Sequence, residues 1–215
     1  MAIKDVVTDY NALSDRAEEV DIRKENSLVR ETVLDLKSTI KHNNYVALAA
    51  PQIGVRKRIL CINFKGDVRT FCNPVVTNVE GFTLNKETCP SIPGKRFIRF
   101  RNTSITVIYQ DPLGKVNSVK LDGLAAMVMQ YAIDILDGLL ISDVGLEIDD
   151  AWEEATENER NEVLAAYLES LDIQMKQMKK EVEADPDMKK ISDAIDFMDS
   201  VKKGETKLES FKPEK

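Results

Sequence analysis

One histidine, His42, serves the whole 215-residue chain, so no mechanism that needs two histidine ligands can be built within it. Cysteine is nearly as scarce: Cys61, Cys72 and Cys89 are separated by 10 and 16 residues, with no C-x-x-C pair. An odd, sparse set without a secretory leader reads as reduced thiols in a cytosol-like compartment. A zinc site made from these three and His42 would have spacing unlike a compact knuckle, and buried thiols are the expected state. No apolar run approaches the ~20 residues that span a bilayer, and the first ten residues are already polar. The sequence therefore predicts neither a membrane protein nor one exported behind a leader. Positive charge is also in deficit, since 37 acidic and 30 basic side chains leave a net charge of −7. Nonspecific nucleic-acid binding needs clustered positive charge, so nucleic acid is not an expected partner.

What is present is enough apolar residue, 43%, to bury an ordinary core. The length suits one domain of about 150 residues with an appendage. Charge marks the division. Residues 1–150 carry 20 acidic and 19 basic side chains, whereas residues 151–215 carry 17 acidic and 11 basic. The boundary is placed near Asp149 to Trp152.

In the first part, Ser27 is expected to cap a helix with apolar positions Val29, Val33, Leu36 and Ile40, ended by Asn43 and Asn44. Short β-rich runs follow at Arg58–Phe64, Phe71–Val76, Ser104–Tyr109 and Val116–Leu121, with Asp111-Pro112-Leu113-Gly114 as a hairpin turn. The segment Leu124 to Leu136 is apolar on nearly all sides and reads as a central buried helix. The fold class is α+β, with antiparallel strands packed around that helix.

The tail has a different rhythm. Leu164, Leu168, Leu171, Met175, Met178 and Val182 step by fours and threes, a heptad-like seam. Asp185-Pro186 should break it, and Met188, Ile191, Ile195 and Met198 start a second, shorter stripe. Residues 151–203 are thus predicted to be an acidic helical extension, and 204–215 to be frayed. The seam either folds on itself or on the domain, or it docks on a partner or another copy.

Three segments carry a family resemblance: Tyr45-Val46-Ala47-Leu48-Ala49-Ala50-Pro51-Gln52, Glu87-Thr88-Cys89-Pro90-Ser91 and Gln130-Tyr131-Ala132-Ile133-Asp134-Ile135-Leu136. In order and spacing they resemble the peptide deformylase motifs G-x-G-L-A-A-x-Q, E-G-C-L-S and Q-H-E-x-D-H-L. The similarity extends from about Asp9 to Asp143. The resemblance implies a deformylase-like fold of antiparallel sheets around a buried helix, to which the tail is an addition.

The resemblance also implies what is missing. In that family one cysteine and two histidines hold iron or zinc, and a glutamate moves the proton while metal-bound water attacks the formyl group. Carried over, Cys89 matches the cysteine, but Tyr131 and Ile135 stand at the histidine positions and Ala132 at the glutamate. Ile135 and Ala132 have no lone pair to offer, and a neutral phenol is a poor ligand for a divalent metal. Gln52 matches one oxyanion donor of the family, while Pro90 has no N–H to supply the other. Tyr45 and Ala47 replace the two glycines of the first motif. Tyr45, Leu48, Gly54 and Arg101 are the implied residues of a peptide groove.

The expectation is a protein with no catalytic residues, no metal and no cofactor, acting by binding another protein or itself through the tail. Among deformylase-like proteins the resemblance points to inhibitors of phage prohead maturation proteases, in a host bacterial cytoplasm or a prohead. Such proteases, as a family, prefer Leu or Ile two residues before a glutamate, and no Leu-x-Glu or Ile-x-Glu triplet occurs here. The rivals are a working metal-dependent deformylase with a rebuilt site, and a structural, oligomerising protein.

Overall fold

Ile59, Leu60, Cys61 and Ile62 are buried in unbroken succession, as in a strand covered on both faces. In this computed structural model, which describes residues 2–184, two helices supply those covers. In chain order the elements are α1 (Tyr10–Leu13), α2 (Asn26–Asn43), β1 (Ala47–Ala49), β2 (Ile59–Phe64), β3 (Asp67–Glu80), β4 (Thr83–Cys89) and β5 (Ile92–Arg101). Next come β6 (Ser104–Gln110), β7 (Val116–Asp122), α3 (Leu124–Leu136), α4 (Ile141–Val144), β8 (Leu146–Ile148), α5 (Asp150–Glu154) and α6 (Glu157–Ala184). Two compact units divide the chain, Met1–Glu154 and Ala155–Lys215, so α5 with Trp152 belongs to the first.

A five-stranded sheet of order β1-β2-β3-β6-β7 and a three-stranded sheet of order β4-β5-β8 are both antiparallel. Side chains alternate along each strand, which sorts the core into two clusters. Leu48, Ile59, Cys61 and Cys72 face α2 with its Val29, Val33, Leu36 and Ile40. Ala47, Ala49, Leu60, Ile62 and Phe71 face α3 with its Ala126, Met129, Ala132, Ile133 and Leu136. Each large side chain buried here contributes roughly 1.5–3 kcal/mol. The α+β architecture and central helix match the sequence expectation.

Several details differ from it. Helix α2 starts at Asn26 after Glu25, with no side-chain cap, so Ser27 is inside the helix. The entry is organised by the preceding turn: Asp21 Oδ1 accepts from Arg23 N and Lys24 N, and Glu25 Oε2 accepts from Asp21 N. Strand β3 extends well beyond Phe71–Val76 because it tolerates an irregularity between Cys72 and Val75. Asn73, at φ 48°, and Pro74 sit in that break, where proline's missing donor does no harm. The hairpin β4–β5 was not foreseen; Pro90 and Ser91 form its corner between the paired Cys89 and Ile92. Helix α3 ends at a close approach, since a Cβ on Gly138 would lie 2.4 Å from the Ser14 carbonyl oxygen. Buried Arg58 completes that end by donating to the Leu136 carbonyl and to Asp137.

In the second unit, Thr156 N donates to Glu159 Oε2 and Thr156 Oγ1 accepts from Glu159 N, a capping box at the start of α6. Tyr167 is buried, Leu164 and Leu171 are half-buried, and Leu168 is 47% exposed. Leu164 and Leu171 of the expected seam are thus partly covered beside Tyr167, while Leu168 is left exposed. The side chains of Met175, Met178 and Val182 lie outside the described residues, as do the second stripe and residues 204–215. Among the described residues no helix is long and apolar enough to cross a membrane.

Candidate functional site

Three elements bring the motif residues together. Gln52 belongs to a 3₁₀ turn at Ala50–Ile53 that follows β1, Cys89 ends β4, and Tyr131 lies in the middle of α3. Gln52 is fully buried, and an amide so placed needs its donors and acceptor satisfied. Its Oε1 accepts from Ala49 N at 3.0 Å, and its Nε2 donates to Ser91 Oγ at 3.1 Å and to Tyr131 Oη at 3.4 Å. The Tyr131 hydroxyl in turn donates to Cys89 Sγ at 3.0 Å. Burial, reinforced by the neighbouring Cys89 and opposed by Gln52, pushes the Tyr131 phenol well above its usual range. It stays a neutral donor at physiological pH.

The donor set does not fit a divalent metal. Cys89 has the Tyr131 hydroxyl at its sulfur, and Ala132 and Ile135 are packed with both of them in the apolar cluster. Among the described residues no group of three or more His, Cys, Asp or Glu side chains is placed to hold a metal ion.

Behind this layer lies a buried ion network. Arg101 donates through Nε and Nη2 to the two oxygens of Glu87, at 2.6 and 2.7 Å, and through Nη1 to Asp134. Arg99 also donates to Asp134. Burial pulls the Arg101 guanidinium down, but its hydrogen bonds and charge contacts with Glu87 and Asp134 more than reverse this and hold it charged. The network ties β4 and β5 to α3 one helical turn from Tyr131.

In front of the layer is a cleft of about 290 Å³ lined by Asn44 to Ala47, Asn85 to Thr88, Pro90, and Leu124, Met127, Val128 and Tyr131. The four α3 residues share one face at i, i+3, i+4 and i+7. The approach to β1 forms one wall and β4 the other, and each is the edge strand of its own sheet. Leu124 and Val46 are 68% and 54% exposed at the rim.

Of the expected groove residues only Tyr45 lines this cleft. Leu48 faces α2 because the residues on either side of it face α3. Gly54 closes the 3₁₀ turn at φ 80°. Arg101 is 3% exposed and committed to its two carboxylates. The sequence reading missed Leu124, Met127 and Val128, although their helical spacing with Tyr131 was a usable signal. It also left Ser91, Glu87 and Asp134 without a site role.

Over residues 3–149 the chain matches the family model described as polypeptide deformylase. It is similar to the peptide deformylase of Dictyoglomus turgidum, 35% identical over 126 residues, covering 59% of this chain and 82% of that one. The peptide deformylase of Pelotomaculum thermopropionicum is 38% identical over 128 residues, covering 60% and 81%. The crystal structure of peptide deformylase from Thermotoga maritima superposes with a TM-score of 0.62 at 27% identity, over 66% of this chain and 97% of that one. A Met-Ala-Ser-bound class I type b peptide deformylase from Acinetobacter baumannii, at 21% identity and TM-score 0.63 over 66% and 99%, shares the fold. Sequence, motif order and three-dimensional arrangement agree, and the chain belongs to the polypeptide deformylase family.

Proposed function

We propose that this chain is a non-catalytic member of the family that works by binding a segment of another protein in the cleft between β1 and β4. The observation that carries the reading is the Tyr131–Cys89 hydrogen bond. The residue at the first histidine position of the motif is a neutral phenol, and its hydroxyl covers the one metal-binding side chain that is kept. Ile135 and Ala132 at the other two positions offer neither a ligand nor a base. Pro90 offers no N–H for an oxyanion, and loss of one such donor typically costs ~100–1000-fold in rate. The cleft supports binding, because an extended segment can run past β1 and β4, each the last strand of its sheet, while a side chain enters among Leu124, Met127 and Val128.

Within this proposal the partner is a phage prohead maturation protease, held by an inhibitor that carries no Leu-x-Glu or Ile-x-Glu triplet. The second reading, a working deformylase with a rebuilt site, is favoured by the names of the curated relatives. Metal analysis of the full chain after incubation with iron(II) or zinc separates the two. The proposal expects far less than one equivalent to be retained through desalting; near one equivalent at Cys89 overturns it.

A further inference from the structure

We infer that this chain holds a second ligand site, apart from the cleft, which takes a small aromatic carboxylate on the α3 side of the five-stranded sheet. A cavity of about 470 Å³ lies there, lined by Phe64, Phe71, Tyr109, Val119 and Leu121 from four strands and by Ala125 from the first turn of α3. Phe71 and Leu121 are buried, while Phe64, Tyr109, Val119 and Ala125 stay half-buried although they pack on the core. Ala125 brings only a methyl group to the lining, so α3 leaves the space unfilled. The volume lies in the range of small-molecule sites.

The lining is aromatic. The Phe71 and Tyr109 rings are tilted with centroids 4.5 Å apart, and Phe64 meets Phe71 edge to face at 6.4 Å. A further ring entering the cavity can continue that cluster in the same tilted geometry.

Charge selects the head group. Arg69 lies on the cavity's side of the sheet, because it pairs with Ile62, which faces α3 as Phe71 does. Its guanidinium carbon stands 5.4 Å from the centroid of the Phe64 ring. Asp67 Oδ2 takes only Nε, at 2.8 Å. Both terminal nitrogens are without an acceptor among the described residues, and they form the fork that suits a carboxylate. Lys120 and Asp122 also border the cavity. Strand alternation turns their side chains to the face opposite Val119 and Leu121, where Lys120 donates to Glu80.

The test is calorimetric titration of the full chain with hydrocinnamate, hydrocinnamamide and phenylpropylamine, which share a ring and short chain and differ in head group. N-acetyl-Gly-Phe, with a carboxylate at a chain end, separates a C-terminal residue from a free acid as the source, and the tighter of the two acids names it. The inference expects the tighter acid to bind at least about tenfold more tightly than the amide or the amine. Arg69→Gln, at a side chain 62% exposed, should bring the acid down to the level of the amide with the fold intact. Ala125→Leu, which fills the space, should abolish binding while cooperative melting is kept. No saturable binding of either acid at millimolar concentration overturns the inference. So does an amide or amine that binds as tightly as the acids, or undiminished acid binding by either variant.

Discussion

Tyr131 and Cys89, forty-two positions apart in sequence, meet at 3.0 Å, with the phenol as donor and the thiol sulfur as acceptor. The contact couples α3 to the end of β4 and sets the floor of the cleft. It draws in Gln52, so three separate motif segments share one buried hydrogen-bond chain.

Tyr131→Phe keeps the ring and removes the hydroxyl. Gln52 Nε2 then keeps only Ser91 as an acceptor, and the Cys89 sulfur loses its donor. Denaturant unfolding should show a loss of about 1–2 kcal/mol. No change in stability would mean that the hydroxyl is not a structural tie.

Restoring histidines at 131 and 135 should recover metal affinity, since i and i+4 place both on one helix face near Cys89. The double variant should retain zinc through desalting where the parent does not. Adding Ala132→Glu should still leave formate release ~100–1000-fold below family rates, because Pro90 withholds an oxyanion donor. Full turnover in the triple variant would show that Pro90 is no obstacle.

The N-terminal arm supplies a pH-dependent tie. Asp35 is buried on α2 and accepts from Ala2 N at 2.7 Å, with Lys4 Nζ at 3.3 Å. Burial pushes its carboxyl up, but those contacts more than reverse this and leave it below the usual value. A carboxyl depressed on folding contributes stability that is complete above its unfolded pKa of about 3.9 and lost as pH falls through the folded value. Asp35→Asn should therefore reduce stability at pH 7 and flatten its decline below about pH 4. An acid limb with unchanged slope contradicts this assignment.

How much of this was legible in the sequence depended on whether burial was a local property. Helices α2 and α3 and strands β2, β6 and β7 announce themselves by apolar runs and by the Asp111–Gly114 turn, where Asp111 Oδ1 accepts from Leu113 N and Lys115 N. The β4–β5 hairpin did not, because its strands carry Lys86, Glu87, Arg99 and Arg101, which a sequence reading assigns to the exterior. Glu87 and Arg101 are buried only because each neutralises the other from the adjacent strand. That long-range pairing also removed Arg101 from the groove. Leu48 went wrong differently: in a strand of three residues, a shift of one position exchanges the two faces.

In the tail, Leu164 and Leu171 are half-buried, and Tyr167 between them is buried. A step from Leu168 to Tyr167 is 100° around a helix, and it leaves Leu168 and Ile173 at 47% and 50% exposure. Leu168→Asp should therefore change the melting temperature little but lower any association through this face, measured by sedimentation of the full chain. Adding Leu171→Asp, at a half-buried position, should lower the melting temperature as well. Equal sedimentation of wild type and both variants would assign no docking role to this stretch of α6.

The central claim is that the Tyr131, Ala132 and Ile135 positions have removed the family's chemistry while the cleft still binds. Formate release from formyl-Met-Ala-Gly by the full chain, supplied with iron(II) or zinc, tests it most directly. The account predicts no turnover above the metal-only background. Sustained, enzyme-proportional formate release would contradict it.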